Sequence, residues 1–258
     1  MEIKEVSNNV YICQDTGYYL VNACCINLKS HLLFIDTGQN NKIGKKFRKR
    51  MEELFGKKES FLTITHANYD HFMGLKAFLD LQVIVSDEFM KQFKKKTQDI
   101  KFKWLKKFVP SETYSMNYRV GVNANYVDLT LTGGHTIDSS FAYYPTEKIL
   151  IAGDNLITDM PYFALHPSAD LQKYILCLKS WKELDVEVLI PGHGNIVSWK
   201  YVSEVLEYFE TLFKFLKEAK RANIPIEKVV EDRDLPPYFE PDPEHWIEEG
   251  IKTFYNNL

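Results

Sequence analysis

Seven of the 258 residues are histidine, and four of them stand where a reactive centre is easily built. His66, His71, His135 and His193 each follow an apolar run with strand character. Each has glycine or a carboxylate beside it, in His66-Ala67-Asn68-Tyr69-Asp70-His71, Gly133-Gly134-His135-Thr136 and Pro191-Gly192-His193-Gly194. Gly153-Asp154 adds a carboxylate directly after the run Ile149-Leu150-Ile151. Imidazole and carboxylate are ligands that zinc, iron and manganese accept. Strand ends along one sheet edge can gather such residues although they lie far apart in the chain. The neighbouring glycines let the backbone turn sharply beside a crowded centre. His31 and His245 lack such partners and read as structural.

The elements that must position these residues alternate in type. Val10 to Ile12, Tyr18 to Leu28 and Leu32 to Ile35 read as strands, rich in β-branched and aromatic residues. Asp36-Thr37-Gly38 breaks the pattern. Ile43, Phe47, Met51, Leu54 and Phe55 then recur at helical spacing, and Gly56 ends that helix. Phe61 to Thr65 is a strand leading into the His66 loop, and Phe72 to Leu79 reads as helical before the strand Val83 to Val85. Residues 87–109 read as one basic helical segment, with lysines such as Lys94, Lys95 and Lys96 between Phe89, Phe93 and Trp104. Its two readings are a solvated amphipathic helix and a cationic lid that attracts an anionic substrate. Strands follow at Arg119 to Val122, Tyr126 to Leu131, Phe141 to Tyr144 and Ile149 to Ile151. A helix spans about 169–184, a strand covers Val186 to Ile190, and a long helix runs from about Lys200 to Arg221. A last helix starts near Asp242, a good N-cap. This β-turn-α-β order predicts an α/β layered fold.

Composition narrows the class. A net charge of −3, with 45% hydrophobic and 26% charged residues, excludes a disordered tail or a disulfide scaffold and speaks against a general nucleic-acid binder. A chain of this length buries about 70–75% of its unfolded surface, so it needs no metal merely to fold. Cys13, Cys24, Cys25 and Cys177 form no CxxC pair and read as buried hydrophobes. No apolar run approaches the ~20 residues of a membrane span, and Met1-Glu2-Ile3-Lys4-Glu5 lacks leader character. A cytoplasmic protein is expected.

Taken in order, His66-Ala67-Asn68-Tyr69-Asp70-His71, Gly134-His135, Gly153-Asp154 and Gly192-His193 resemble the metallo-β-lactamase superfamily, whose pattern is HxHxDH, a His, a bridging Asp and a last His. Asp36-Thr37-Gly38 matches the early DTG turn of that family, which supports the metal loops without ligating. The resemblance covers about residues 8–200. It implies a four-layer αββα sandwich of two mixed β-sheets flanked by helices, over residues 1–200, with 201–258 as a C-terminal helical extension packed on the same domain. It further implies one metal on His66, His135 and Asp154, and another on Asp70, His71 and His193, with Asp154 bridging. Zinc heads the choice of metals, with iron or manganese as alternatives. A metal-activated water would be the nucleophile, and Asp70 would orient it and pass its proton to the leaving group.

Asn68 stands where the pattern has its second His. Three consequences are open: a weakened first site and a mononuclear centre, ligation through oxygen with a harder ion, or donation by the amide NH2 to hydroxide or substrate. Asn68 therefore joins Asp70 as a catalytic candidate. His166, Tyr69, Tyr162 and Phe163 are weaker candidates for substrate contact. The expected activity is hydrolysis of a small-molecule thioester, lactone or other ester. The alternatives are a phosphodiesterase, an iron-dependent redox enzyme and a non-catalytic metal- or ligand-binding protein. A small-molecule substrate is the expected partner, with no nucleic acid or membrane, and a homodimer is conceivable.

Overall fold

The computed structural model describes residues 1–17, 19–98, 105–106, 108–159, 166–240, 242 and 246–258. Tyr18, Tyr162, Phe163, His245 and the middle of the basic segment, 99–104 and Lys107, lie outside the described residues.

Two mixed sheets form the frame. The first has seven strands in sequence order: β1 (Glu2–Glu5), β2 (Val10–Gln14), β3 (Asn22–Asn27), β4 (His31–Ile35), β5 (Glu59–Thr63), β6 (Gln82–Ser86) and β7 (Glu112–Tyr114). Strands β1 to β4 pair antiparallel, and β4 to β7 pair parallel. The second sheet has the order β12 (Val188–Ile190), β11 (Ile149–Ile151), β10 (Ser140–Tyr144), β9 (Asn125–Leu131), β8 (Asn117–Val122). Only its β11–β12 pair is parallel.

Strand alternation sorts the side chains into layers. On β4, Leu33 and Ile35 face the second sheet and pack with Ile26, Val127, Leu129 and Tyr144. Leu32 and Phe34 face the other way, onto Phe47 and Met51 of α1 (Asn41–Phe55) and near Phe89 and Phe93 of α3 (Asp87–Lys96). On β10, Phe141 and Tyr143 face outward onto α4 (Leu171–Ser180), α5 (Trp199–Arg221) and α7 (Trp246–Asn257), with Trp181, Phe209 and Phe254 in the same cluster. The expected αββα sandwich is therefore the observed one, and the C-terminal helices share the cluster that covers the second sheet.

Some expectations need correction. The helical reading of 72–79 splits into a single turn, α2 (Tyr69–Phe72), and a 3-10 turn at Leu75–Phe78, the Gly74 amide between them donating to the Gly38 carbonyl at 3.1 Å instead of continuing a helix. α3 ends at Lys96, so the described part of 87–109 is not one helix. The edge strands β1 and β7 and the short α6 (Ile226–Val230) carry too little patterning to be read in advance. Asp242 does serve the start of α7, accepting hydrogen bonds from the Trp246 and Ile247 amides at 2.9 Å. Among the described residues, no helix is long and apolar enough to cross a membrane.

Candidate metal centre

All six predicted ligands come from loops that leave strands at one edge of the sandwich. β5 runs into His66, and the one-turn helix α2 carries Asp70 and His71. His135 lies between β9 and β10, Asp154 follows β11, and His193 follows β12. The edge is knitted together by side-chain amides: Asn22 Nδ2 donates to the carbonyls of Pro191 at 3.0 Å and Gly194 at 2.9 Å. Gln14 Nε2 adds a bond to the Gly194 carbonyl at 2.7 Å. These tie β2 and β3 of the first sheet to the His193 loop of the second.

The six residues form two groups, His66–His135–Asp154 and Asp70–His71–His193, each with ligand atoms within 4.8 Å of one another. Asp154 Oδ2 lies 3.4 Å from His66 Nε2, 3.4 Å from His135 Nε2 and 3.3 Å from His193 Nε2. Its Oδ1 lies 3.2 Å from His71 Nε2. Asp70 Oδ2 is 3.3 Å from His193 Nε2 and 3.7 Å from His71 Nε2. All but Asp70 are buried.

The outer ring nitrogens are held, which aims the inner ones. His71 Nδ1 pairs with Asp36 Oδ2 at 2.9 Å, His66 Nδ1 meets the Thr65 hydroxyl at 3.1 Å, and His193 Nδ1 donates to the Tyr19 carbonyl at 2.6 Å. Such partners set the ring orientation and the tautomer of metal-binding histidines. Asp36 also accepts from the Thr65 amide at 2.7 Å and hydroxyl at 2.9 Å. It adopts φ 61°, a left-handed conformation that Asp tolerates better than most residues. The supporting role expected of the Asp36 turn is thus visible in its bonds. Thr65 and the Tyr174 hydroxyl, which donates to the Asp154 carbonyl at 2.8 Å, had no sequence signal.

This donor set fits a divalent cation. His66 Nε2 and Asp154 Oδ1 are buried without an aligned hydrogen bond, a costly arrangement unless something else binds there. Without a cation the charges settle among themselves. Burial opposes ionisation of Asp154, yet His193, His71 and His66 hold its pKa well below the carboxylate range. Burial likewise opposes protonation of His193, but Asp154 and Asp70 raise its pKa to about 9. For His66 burial prevails over Asp154, and its pKa falls to about 3.

The other candidates divide. Asn68 lies beside the first group, its Nδ2 3.2 Å from His135 Nε2 and its Oδ1 accepting from Lys96 Nζ at 2.7 Å. Tyr69 is 42% exposed and meets the Phe72 ring at a tilt, so it lies at the surface of the loop rather than under it. With Tyr19, Gln39, Asp70 and Met73 it lines a cavity of about 360 Å³ at the mouth of the centre. His166 bonds to the Ser168 hydroxyl at 2.8 Å, and Lys96 and His135 are the charges that act on it. His31 pairs with Glu59 at 3.1 Å, a structural role as expected.

The comparisons with known proteins agree with this geometry. The family model described as "Metallo-beta-lactamase superfamily" matches residues 17–193. The "Beta-lactamase-like protein 2 homolog" of Caenorhabditis elegans is 26% identical over 213 residues, covering 81% of this chain. The matched region spans 65% of that relative, just under two thirds of its length. Among solved structures, a metallo-beta-lactamase from Pontibacter korlensis has a TM-score of 0.69 at 19% identity, over 81% of this chain and 98% of that one. The inverting sec-alkylsulfatase Pisa1 from Pseudomonas sp. has a TM-score of 0.80 at 16% identity, over 99% of this chain and 50% of that one. At these identities the two structures speak to the fold, and the second match takes in the C-terminal helices as well. With the family match spanning most of the sandwich, the chain belongs to the metallo-β-lactamase superfamily.

Proposed function

We propose that the protein hydrolyses a small-molecule ester, thioester or lactone with one or two divalent cations, zinc first among them. His66, His135 and Asp154 would hold one, and Asp70, His71 and His193 the other. The observation that carries this reading is the Asp154 carboxylate, whose Oδ2 lies within 3.4 Å of imidazole nitrogens from both groups. When bound, divalent cations supply Lewis acidity and bring the pKa of water toward neutrality.

The chain's own groups supply the rest. Burial works against the charge on Asp70, but His71 and His193 overcome it and hold the carboxyl below its usual range. Asp70 is therefore ionised at working pH, and its side chain keeps 33% of its surface open at the mouth. It can accept a hydrogen bond from an attacking water and orient it. The mouth cavity, about 360 Å³, has the size of a small-molecule site, and Tyr19, Tyr69 and Met73 give it apolar walls.

The test is turnover by protein stripped with a chelator and reloaded in turn with zinc, manganese and iron(II). p-Nitrophenyl acetate, an acyl thioester and a γ-lactone are offered, with bis-p-nitrophenyl phosphate beside them. Chelator-sensitive cleavage of one of the first three, lost in Asp70→Asn, is expected. Cleavage of the phosphodiester alone, or of nothing with any metal, overturns the proposal.

A further inference from the structure

Lys96, the last residue of α3, stands apart from the other lysines of its helix. Its half-buried ammonium reaches back across 28 positions to donate to Asn68 Oδ1 at 2.7 Å. It also lies over the Tyr69 ring, 5.2 Å from the centroid. Among the described residues it forms no ion pair. A partly desolvated cation is normally matched by a carboxylate, and here one neutral oxygen is the only hydrogen-bond acceptor that Lys96 has among those residues. An ammonium carries three donors, so donor capacity remains beside Asn68 and Tyr69. The charges of Asp138 and Asp70 are felt at Lys96 without pairing with it, and burial lowers its pKa against their pull.

Asn68 behaves accordingly. It occupies the N-cap of α2, a position where Asn ordinarily bonds to the helix amides, yet its side chain makes no capping bond. Lys96 claims the carbonyl oxygen, which turns the NH2 toward His135 and the first ligand group. The one Asn68 atom able to ligate a cation is thus engaged, and two donors, the amide and the ammonium, border that side of the centre.

We propose that Lys96 is the specificity-determining residue of this centre: with Asn68 it receives an anionic group, a carboxylate, sulfate or phosphate, carried by the substrate beside its scissile ester. The word substrate rests on the hydrolase reading above, whereas anion recognition by Lys96 does not. Lys96 acts here by direct contact with the anion and by holding the orientation of Asn68.

Two readouts test it on zinc-loaded protein, with zinc per chain measured for every variant. The first is calorimetric binding of inorganic phosphate to the native chain, Lys96→Met and Lys96→Arg. Binding at least about tenfold weaker in Lys96→Met, recovered to within about threefold in Lys96→Arg, is expected at unchanged zinc content. The second is the KM for p-nitrophenyl hemisuccinate against p-nitrophenyl butyrate. Lys96→Met should raise KM for the anionic ester and leave that for the neutral one in place. Equal phosphate binding in Lys96→Met, or a loss that merely tracks lost zinc, overturns the proposal. If neither ester is turned over, phosphate binding alone decides the role of Lys96, and the hydrolase reading is decided separately by the thioester, lactone and metal series above. Lys96→Gln replaces Lys96→Met if the latter does not fold.

Discussion

His71 and His193 turn their Nε2 atoms toward each other at a separation of 3.2 Å, with Asp154 lying against both. Two ring nitrogens at this distance cannot both carry protons, and the Nδ1 atom of each is already committed to Asp36 or to the Tyr19 carbonyl. A cation accepting lone pairs from both would take the place of a proton between them. Asp154→Ala removes the carboxylate that lies against imidazoles of both groups, so it should weaken zinc binding at each. Plasma mass spectrometry on desalted protein should find metal depleted, whereas retention of the full native complement would contradict the shared role of Asp154.

Asp36 supports the centre without belonging to it. Its carboxylate holds His71 Nδ1, the Thr65 amide and the Thr65 hydroxyl, and Thr65 in turn meets His66. Asp36→Asn keeps the shape but loses the charge and one acceptor. Loss of such a partner typically costs about 10–100-fold in metal affinity. Competition against a chromogenic zinc chelator measures this directly, and native-like affinity would show that the rings need no such anchor.

Gly192 is required for space rather than for an unusual φ. A Cβ there would stand 2.0 Å from Asp154 Oδ1 and 2.7 Å from the Gly153 carbonyl carbon. Gly192→Ala should cost about 1–3 kcal/mol by overpacking and displace the Asp154 carboxylate. Urea unfolding together with zinc content would register both effects. An unperturbed variant would mean that the Pro191-Gly192-His193 turn yields easily.

His166 gives a pH signature. Burial, with the nearby charges of Lys96 and His135, lowers its pKa to about 4, against an unperturbed value of about 6.5. As pH falls from about 6.5 to 4, the unfolded chain takes up a proton that the folded chain refuses, so this residue lowers stability across that window and adds nothing further below it. Above pH 6.5 both states are neutral and the effect vanishes. Imidazole NMR should place the His166 midpoint near pH 4, and His166→Gln should flatten the fall in the urea midpoint over the same window. A midpoint near 6.5 would contradict the buried setting.

The C-terminal helix also bears on the centre. Phe254 of α7 is 1% exposed and packs edge-on against Tyr174 and Phe209, and Tyr174 bonds to the Asp154 backbone. Phe254→Ala should cost about 3–5 kcal/mol, read as a lower urea midpoint. A change within about 0.5 kcal/mol would show that the extension is only loosely attached.

The candidate ligands were legible in the sequence because each sits in a short motif after a recognisable strand. A strand that ends beside His or Asp delivers that residue to a sheet edge whatever the rest of the chain does. The strand Leu32 to Ile35 was legible, but four consecutive apolar residues do not say which face is inner, and only the packing places Leu33 and Ile35 in one layer and Leu32 and Phe34 in the other. Asn68 was visible as a departure from the motif, but its consequence was not. Which way its amide turns depends on Lys96, and Lys96 reaches it because Phe89 and Phe93 dock α3 on the first sheet with that one lysine directed at Asn68. From sequence, Lys94, Lys95 and Lys96 were interchangeable members of a basic segment. Likewise the Thr65, Tyr174 and Tyr19 contacts bridge elements far apart in the chain. The sequence by itself determined the fold class and the set of ligand-type residues, because both follow from local periodicity and motif. The tertiary structure alone decided that Lys96, rather than Lys94 or Lys95, reaches Asn68, because that is a distance between elements whose packing no local pattern encodes.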